Sequence, residues 1–188
     1  YYLAAFSRTV FGFRLLLFFW MIPTVIVFYR LASQFLKKTP LRLALFLFIL
    51  LTSIPVIEGN IANAEVFMLL PTLAAIYLLY SQPITGYRLL ITGFRLGLAF
   101  TIKVPVAIEF TFLFFWLILL DFQPSLSKFF LRLKSHLSRY LLFIFGFSLP
   151  IFLWGVYFYF HQALVPFLFA ALLQNFSYLS SWATGNQA

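Results

Sequence analysis

The chain reads as long apolar runs separated by short polar breaks, and most of those runs have no wet face. Residues 43–51 and 110–120 are apolar on nearly every side, so neither a 3.6-residue nor a two-residue period picks out a polar stripe. A helix needs about 20 residues, and about 17 at least, to cross a hydrocarbon core about 30 Å thick. On that measure the runs predict crossings over 10–29, 41–57, 64–80, 87–102, 104–120 and 140–160. The stretch 87–120 is too long for one crossing and is interrupted by Lys103-Val104-Pro105. Proline removes a backbone donor and disfavours helical geometry in the residue before it, so this stretch predicts two helices folded back around 101–104. The apolar piece 163–173 is too short to cross and lacks a basic face. It predicts a re-entrant or packed helix within an outer loop over 161–188. The expected fold is all-α, a polytopic transmembrane bundle of about six crossing helices that includes one proline-broken hairpin.

Composition makes lipid the solvent that fits. Hydrophobic residues are 64% of the 188, charged residues 9%, and the mean hydropathy is +1.02, whereas a soluble domain carries about 25% charge. With 28 Phe and 10 Tyr there is more aromatic surface than one soluble core would hold. The net charge of +9 does not imply a nucleic-acid partner, because the basic residues form short clusters rather than a stripe that could follow a phosphate backbone. Alternating sides places Arg30, Lys37, Lys38, Arg42, Arg88, Lys128, Arg132, Lys134 and Arg139 on one face. The loops 58–63 and 161–188 on the other face contain no Lys or Arg, so the basic face is expected to be cytoplasmic. Arg8, Arg14 and Lys103 lie on or near the outer side, and Arg95 lies within a crossing. Cysteine is absent, which excludes disulfides and thiol catalysis. Opening at Tyr1 without Met, the chain is expected to be an internal piece of a longer protein.

The candidate chemistry is on the outer face. Glu58, Asn60, Asn63 and Glu65 put two carboxylates and two amides into one short connection, and Glu65 opens a helix, where the macrodipole favours a negative charge. A solvated turn with a capping residue is the plainer account of that loop. Lys103 sits beside Pro105 at the outer end of the hairpin. Ionisable groups at membrane depth are costly and mark substrate or ion paths, and an ammonium suits a lipid phosphate as a point charge. Snorkelling to the outer surface is the alternative. Arg95 and Glu109 are the charges left inside apolar stretches; placed about 10 Å below a turn at 102 on antiparallel neighbours, they are expected to form an ion pair. Gly93 and Gly97 match the small-residue pattern of packed membrane helices. Asn175-Phe176-Ser177 is a glycosylation sequon in the outer loop, and chance accounts for it. His136 and His161 are isolated and predict no metal site.

Several of these stretches together resemble the GT-C membrane glycosyltransferases, the group of the protein O-mannosyltransferases and the lipid A aminoarabinose transferase. Tyr1-Tyr2-Leu3-Ala4, followed by a crossing with Arg14, looks like the segment after that family's first outer loop. The run from Asn60-Ile61-Ala62-Asn63-Ala64-Glu65 to Met68-Leu69-Leu70-Pro71 resembles its bacterial branch, in which an acidic residue opens a crossing. Gly97-Leu98-Ala99, then Lys103-Val104-Pro105, resembles that branch's hairpin, and Phe169-Ala170 with Asn175-Phe176-Ser177-Tyr178 resembles the outer loop that follows. The resemblance implies an inverting enzyme of the bacterial inner membrane. It would transfer a sugar from a polyprenyl-phosphate donor to an acceptor on the extracytoplasmic face. Its implied partners are that donor and membrane lipids. Basic groups, sometimes with a divalent metal, offset the charge of the departing phosphate. The family's catalytic carboxylate lies in the first outer loop, upstream of the position of Tyr1. Lys103, Glu65, Glu58, Asn63, Asn60 and Arg8 are then candidates for substrate binding.

Two other classes remain in view. A transporter or flippase subunit would use Lys103 and the outer carboxylates in a substrate or ion path; it would be expected to show internal repeats and paired broken helices, whereas one broken segment and no repeat are present. A sugar polymerase or ligase usually needs a large outer loop with several arginines, and neither outer loop here has one.

Overall fold

The computed structural model describes residues 9–54, 63–81 and 83–169, and within them the secondary structure is helical, with no strand. In chain order the helices are α1 (Val10–Ala32), α2 (Lys38–Leu51), α3 (Ala64–Tyr80), α4 (Gly86–Ile102), α5 (Val106–Leu120), α6 (Leu126–Ser135), α7 (Leu137–Phe160) and α8 (Leu164–Leu168). Side-chain caps set several of the starts. Thr9 accepts from the Gly12 amide, Asn63 from the Ala64 amide and Thr85 from the Arg88 amide, each satisfying an N–H that a helix start leaves without a partner.

Cross-helix contacts fix the directions. Trp20 meets Phe67, and Phe35 meets Tyr80, so α1 and α3 run parallel. Arg88 donates to the Ser81 carbonyl and Arg95 to that of Ala74, so α4 returns antiparallel to α3. Gly86, Gly93 and Gly97 of α4 face Leu142, Phe143 and Phe147 of α7 in rising order, so these two helices are parallel. Phe110 stacks on Phe147 and Phe114 packs against Tyr140, so α5 runs back against α7. Accordingly one end of the bundle gathers Arg30, Lys37, Lys38, Arg88, Asp121, Arg132 and Arg139. The other gathers Asn63, Glu65 and Lys103. Among the described residues this is the segregation of charge expected from the sequence.

The core is built on α4 and α7. Leu89, Leu96, Ala99, Val106 and Phe143 are at most 1% exposed. Gly93, Gly97 and Gly146 let the two backbones meet: a Cβ on Gly93 would fall on the Phe143 carbonyl, and one on Gly146 on the Leu90 carbonyl. The small-residue pattern in α4 is therefore a packing surface, and Gly146 is the matching residue on α7. The outside is as apolar as the inside. Phe11, Phe18, Ile108, Phe112, Phe152 and Phe160 each leave more than 60% of their surface uncovered. An envelope of this kind is costly in water and suits lipid.

α1 and α7 are long and apolar enough to cross a membrane, while α3 and α5 are apolar but shorter. Boundaries of α3 coincide with the expected 64–80. The expected 41–57 becomes the fourteen residues of α2, ending at Leu51; residues 55–62 lie outside the described part. The connection between α5 and α7 contains a helix, α6, that the apolar runs did not reveal because half of its residues are polar.

The Arg95–Glu109 pair does not form. Arg95 donates to the Ala74 carbonyl at 2.9 Å instead. The turn takes up Lys103, Val104 and Pro105, so Glu109 falls in the first turn of α5, about 5 Å from its start, while Arg95 is about 10 Å below the end of α4. The two charges are at different depths, and the α3 backbone is closer to the guanidinium.

Candidate functional site

At the end of the bundle away from the basic cluster, Lys103 and Glu65 form an ion pair between Nζ and Oε1. Each residue is placed by a helix terminus. Glu65 is in the first turn of α3 behind the Asn63 cap, and Lys103 is the residue on which α4 ends, with extended backbone (φ −149°, ψ 123°) that turns the chain towards Pro105. A carboxylate at a helix N-terminus and an ammonium at a C-terminus are both favoured by the macrodipoles. The pair thus clasps α3 to α4. It is only partly covered: the side chains are 35% and 45% exposed, so the ammonium remains within reach of an anion. The second Glu65 oxygen is shielded and has no hydrogen-bond partner among the described residues.

Of the six binding candidates, the structure therefore unites Lys103 with Glu65, with Asn63 beside them as the α3 cap. Glu58, Asn60 and Arg8 lie outside the described residues, as does the sequon at Asn175. Among the described residues no group of three His, Asp or Glu side chains is close enough to hold a metal ion.

A second polar cluster occupies the basic end. Asp121 caps the end of α5 and is buried, at 8% exposure. The Tyr140 hydroxyl donates to its Oδ2, His136 Nδ1 bonds the same oxygen, and Arg132 Nε is 3.1 Å from Oδ1. Burial pushes the Asp121 carboxyl upward, but the hydrogen bonds from Tyr140 and His136 and the charges of His136 and Arg132 outweigh it and hold the group below its ordinary value. Beside this cluster is a cleft of about 250 Å³, lined also by Arg139, Leu89 and Leu117. Neither Lys103 nor Glu65 lines it. His136, which looked isolated along the chain, is thus bonded to the lone Asp. The available signal was the spacing of His136 and Tyr140, which puts them on one face of a helix start, at the same end as Asp121, which ends α5. Comparison with protein families, with curated proteins and with solved structures gives no match.

Proposed function

We propose that this chain is part of an inverting membrane glycosyltransferase of the GT-C type, moving a sugar from a polyprenyl-phosphate donor to an acceptor on the extracytoplasmic face. The observation that carries the reading is the Lys103–Glu65 pair. It joins two of the stretches that resemble that family, at the end of the bundle opposite the basic cluster. In the reaction the acceptor hydroxyl attacks the anomeric carbon, its proton passes to a base, and the bond to the donor phosphate breaks with inversion. Negative charge grows on the phosphate as it leaves. Lys103 is the group that offsets this charge, which is stabilisation placed where charge develops. Glu65 holds the ammonium in position between turnovers. The base belongs, by resemblance, to an outer loop before Tyr1.

The six-crossing arrangement is part of the same proposal. α1 to α5 and α7 cross, and α6 lies on the cytoplasmic surface. At about 21 Å, α2 is shorter than an average hydrocarbon core, and local thinning of the bilayer accommodates such a mismatch at modest cost. A bacterial inner membrane follows from the branch resembled.

One observation favours a second reading, a transporter or flippase subunit. Glu109 has a carboxylate oxygen shielded from solvent with no hydrogen-bond partner among the described residues, the kind of group that marks an ion path.

The test measures binding of polyprenyl phosphate, the leaving product, and sugar transfer by the full-length protein. Lys103→Met should weaken that binding about tenfold or more, the scale of a lost charge-assisted bond, and abolish transfer. Adding Glu65→Gln should relieve the unpaired carboxylate and restore stability without restoring transfer. Unchanged transfer by the Lys103→Met protein would refute the role. Proton- or ion-coupled movement of a substrate that is lost in Glu109→Gln would favour the second reading.

A further inference from the structure

The cleft at the basic end is separate from the Lys103–Glu65 pair, neither of whose residues lines it. Its one acid is already satisfied: Asp121 is matched by Tyr140, His136 and Arg132. The Arg139 side chain lines the cleft with no hydrogen-bond or ion-pair partner among the described residues, and Arg132 approaches Asp121 through Nε, with no hydrogen bond from its terminal nitrogens among them. With Asp121 offset by Arg132, Arg139 is the uncompensated charge, and the cleft is positive. Beneath these groups the floor is apolar, formed by Ile84, Leu89, Leu117 and Leu120.

α6 defines the surroundings. It carries Lys128, Arg132 and Lys134, yet Leu126, Phe130 and Leu131 on the same short helix are 73%, 61% and 69% exposed. A helix with uncovered apolar residues and several basic ones lies in the plane of a lipid–water interface. Tyr87, 71% exposed, stands at the same end of the bundle, as a tyrosine of an interfacial belt does. The cleft is therefore at headgroup depth.

We propose that this cleft holds the phosphate of an anionic phospholipid headgroup, with Arg139 and the free edge of Arg132 on the phosphate oxygens. The acyl chains would lie along the exposed apolar surface of α5 and α6. Asp121 acts as a positioning residue: it ties Arg132 on α6 to Tyr140 on α7 and so keeps the two arginines on either side of one opening.

The experiment uses the purified full-length protein in uncharged detergent, with its melting temperature followed during titration by short-chain phosphatidylglycerol, short-chain phosphatidylcholine or inorganic phosphate. Phosphatidylglycerol should raise the melting temperature saturably, and the other two should not at the same concentrations. Arg139→Gln should raise the half-saturating concentration about fivefold, the worth of one basic residue near an anionic surface. Lys37→Gln, a basic residue away from the cleft, should leave it unchanged. Equal effects of the two lipids would overturn the proposal, as would an unaffected Arg139→Gln protein or an equal loss in Lys37→Gln. Saturation by inorganic phosphate at the same concentration would make this a site for free phosphate and would overturn the lipid assignment. Binding of polyprenyl phosphate at the Lys103 end should be indifferent to Arg139→Gln, so failure of either site is read separately.

Discussion

Trp20 on α1 donates its indole N–H to the carbonyl of Phe67 on α3, at 3.1 Å. That carbonyl is the one which Pro71 deprives of its helical donor, since proline has no N–H to return to the residue four positions earlier. The break in the α3 ladder is therefore satisfied from a neighbouring helix, where a buried carbonyl would otherwise lack a donor. Around it, Leu17, Val66 and Phe67 form a small buried cluster.

Trp20→Phe keeps the ring packing and removes the donor, so it should cost about 1 kcal/mol of stability. In a Pro71→Ala background the helix supplies its own donor to Phe67, and the same Trp20 substitution should cost measurably less. Equilibrium unfolding of the four proteins in the cycle checks this; additive costs would show that the indole bond and the proline are unrelated.

A glycine at the α4–α7 contact and one on α7 away from it predict opposite outcomes for one chemical change. Alanine is favoured over glycine in a helix by about 1 kcal/mol. At Gly155 a Cβ meets nothing within 4 Å, so Gly155→Ala should be neutral or stabilising. At Gly93 the Cβ would occupy the place of the Phe143 carbonyl, which is backbone and cannot rotate away. Gly93→Ala should therefore destabilise by about 2 kcal/mol or more, as overpacking does, and thermal melts of the two variants give the comparison.

Asp121 gives the bundle an acid limit. Its folded carboxyl titrates below the ordinary value of 3.8, so its contribution is fully present above that value and is lost as pH falls through the lower, folded one. The melting temperature should be level from about pH 7 to about pH 5 as far as this group is concerned, and fall below pH 3.8. Asp121→Asn should be less stable at neutral pH and show less of the acid-induced fall. A variant with the same pH profile as the parent would remove Asp121 from the account.

Most of the helices, though not α6 or the end of α2, and the end-to-end segregation of charge were legible along the chain because charged residues, Pro105 and the Asn63 cap punctuate the apolar runs. Which side of each helix turns inward was not. Phe112 is exposed and Phe143 buried, yet both sit in runs of similar residues, and a pattern argument has no contrast to use when the exterior is as apolar as the core. The depth of Glu109 was misjudged because the turn consumes three residues before α5 begins. Lys103 and Glu65 could each be singled out, since a charge beside a proline or at a helix start is conspicuous, but their pairing depends on α3 and α4 being antiparallel neighbours. The Asp121–His136–Tyr140 cluster depends on α5 running back along α7 with α6 between them, which no local pattern encodes.

Both the donor-site and the headgroup-site proposals require the two ends of the bundle to face opposite sides of a membrane, and because these 188 residues contain no cysteine, a thiol introduced here is read against the unsubstituted protein. Single substitutions Ser127→Cys on α6 and His161→Cys after α7 place one exposed thiol at each end. In intact cells a membrane-impermeant maleimide should label the His161→Cys protein and should reach the Ser127→Cys protein only after permeabilisation. Labelling of both from the same side would contradict the account.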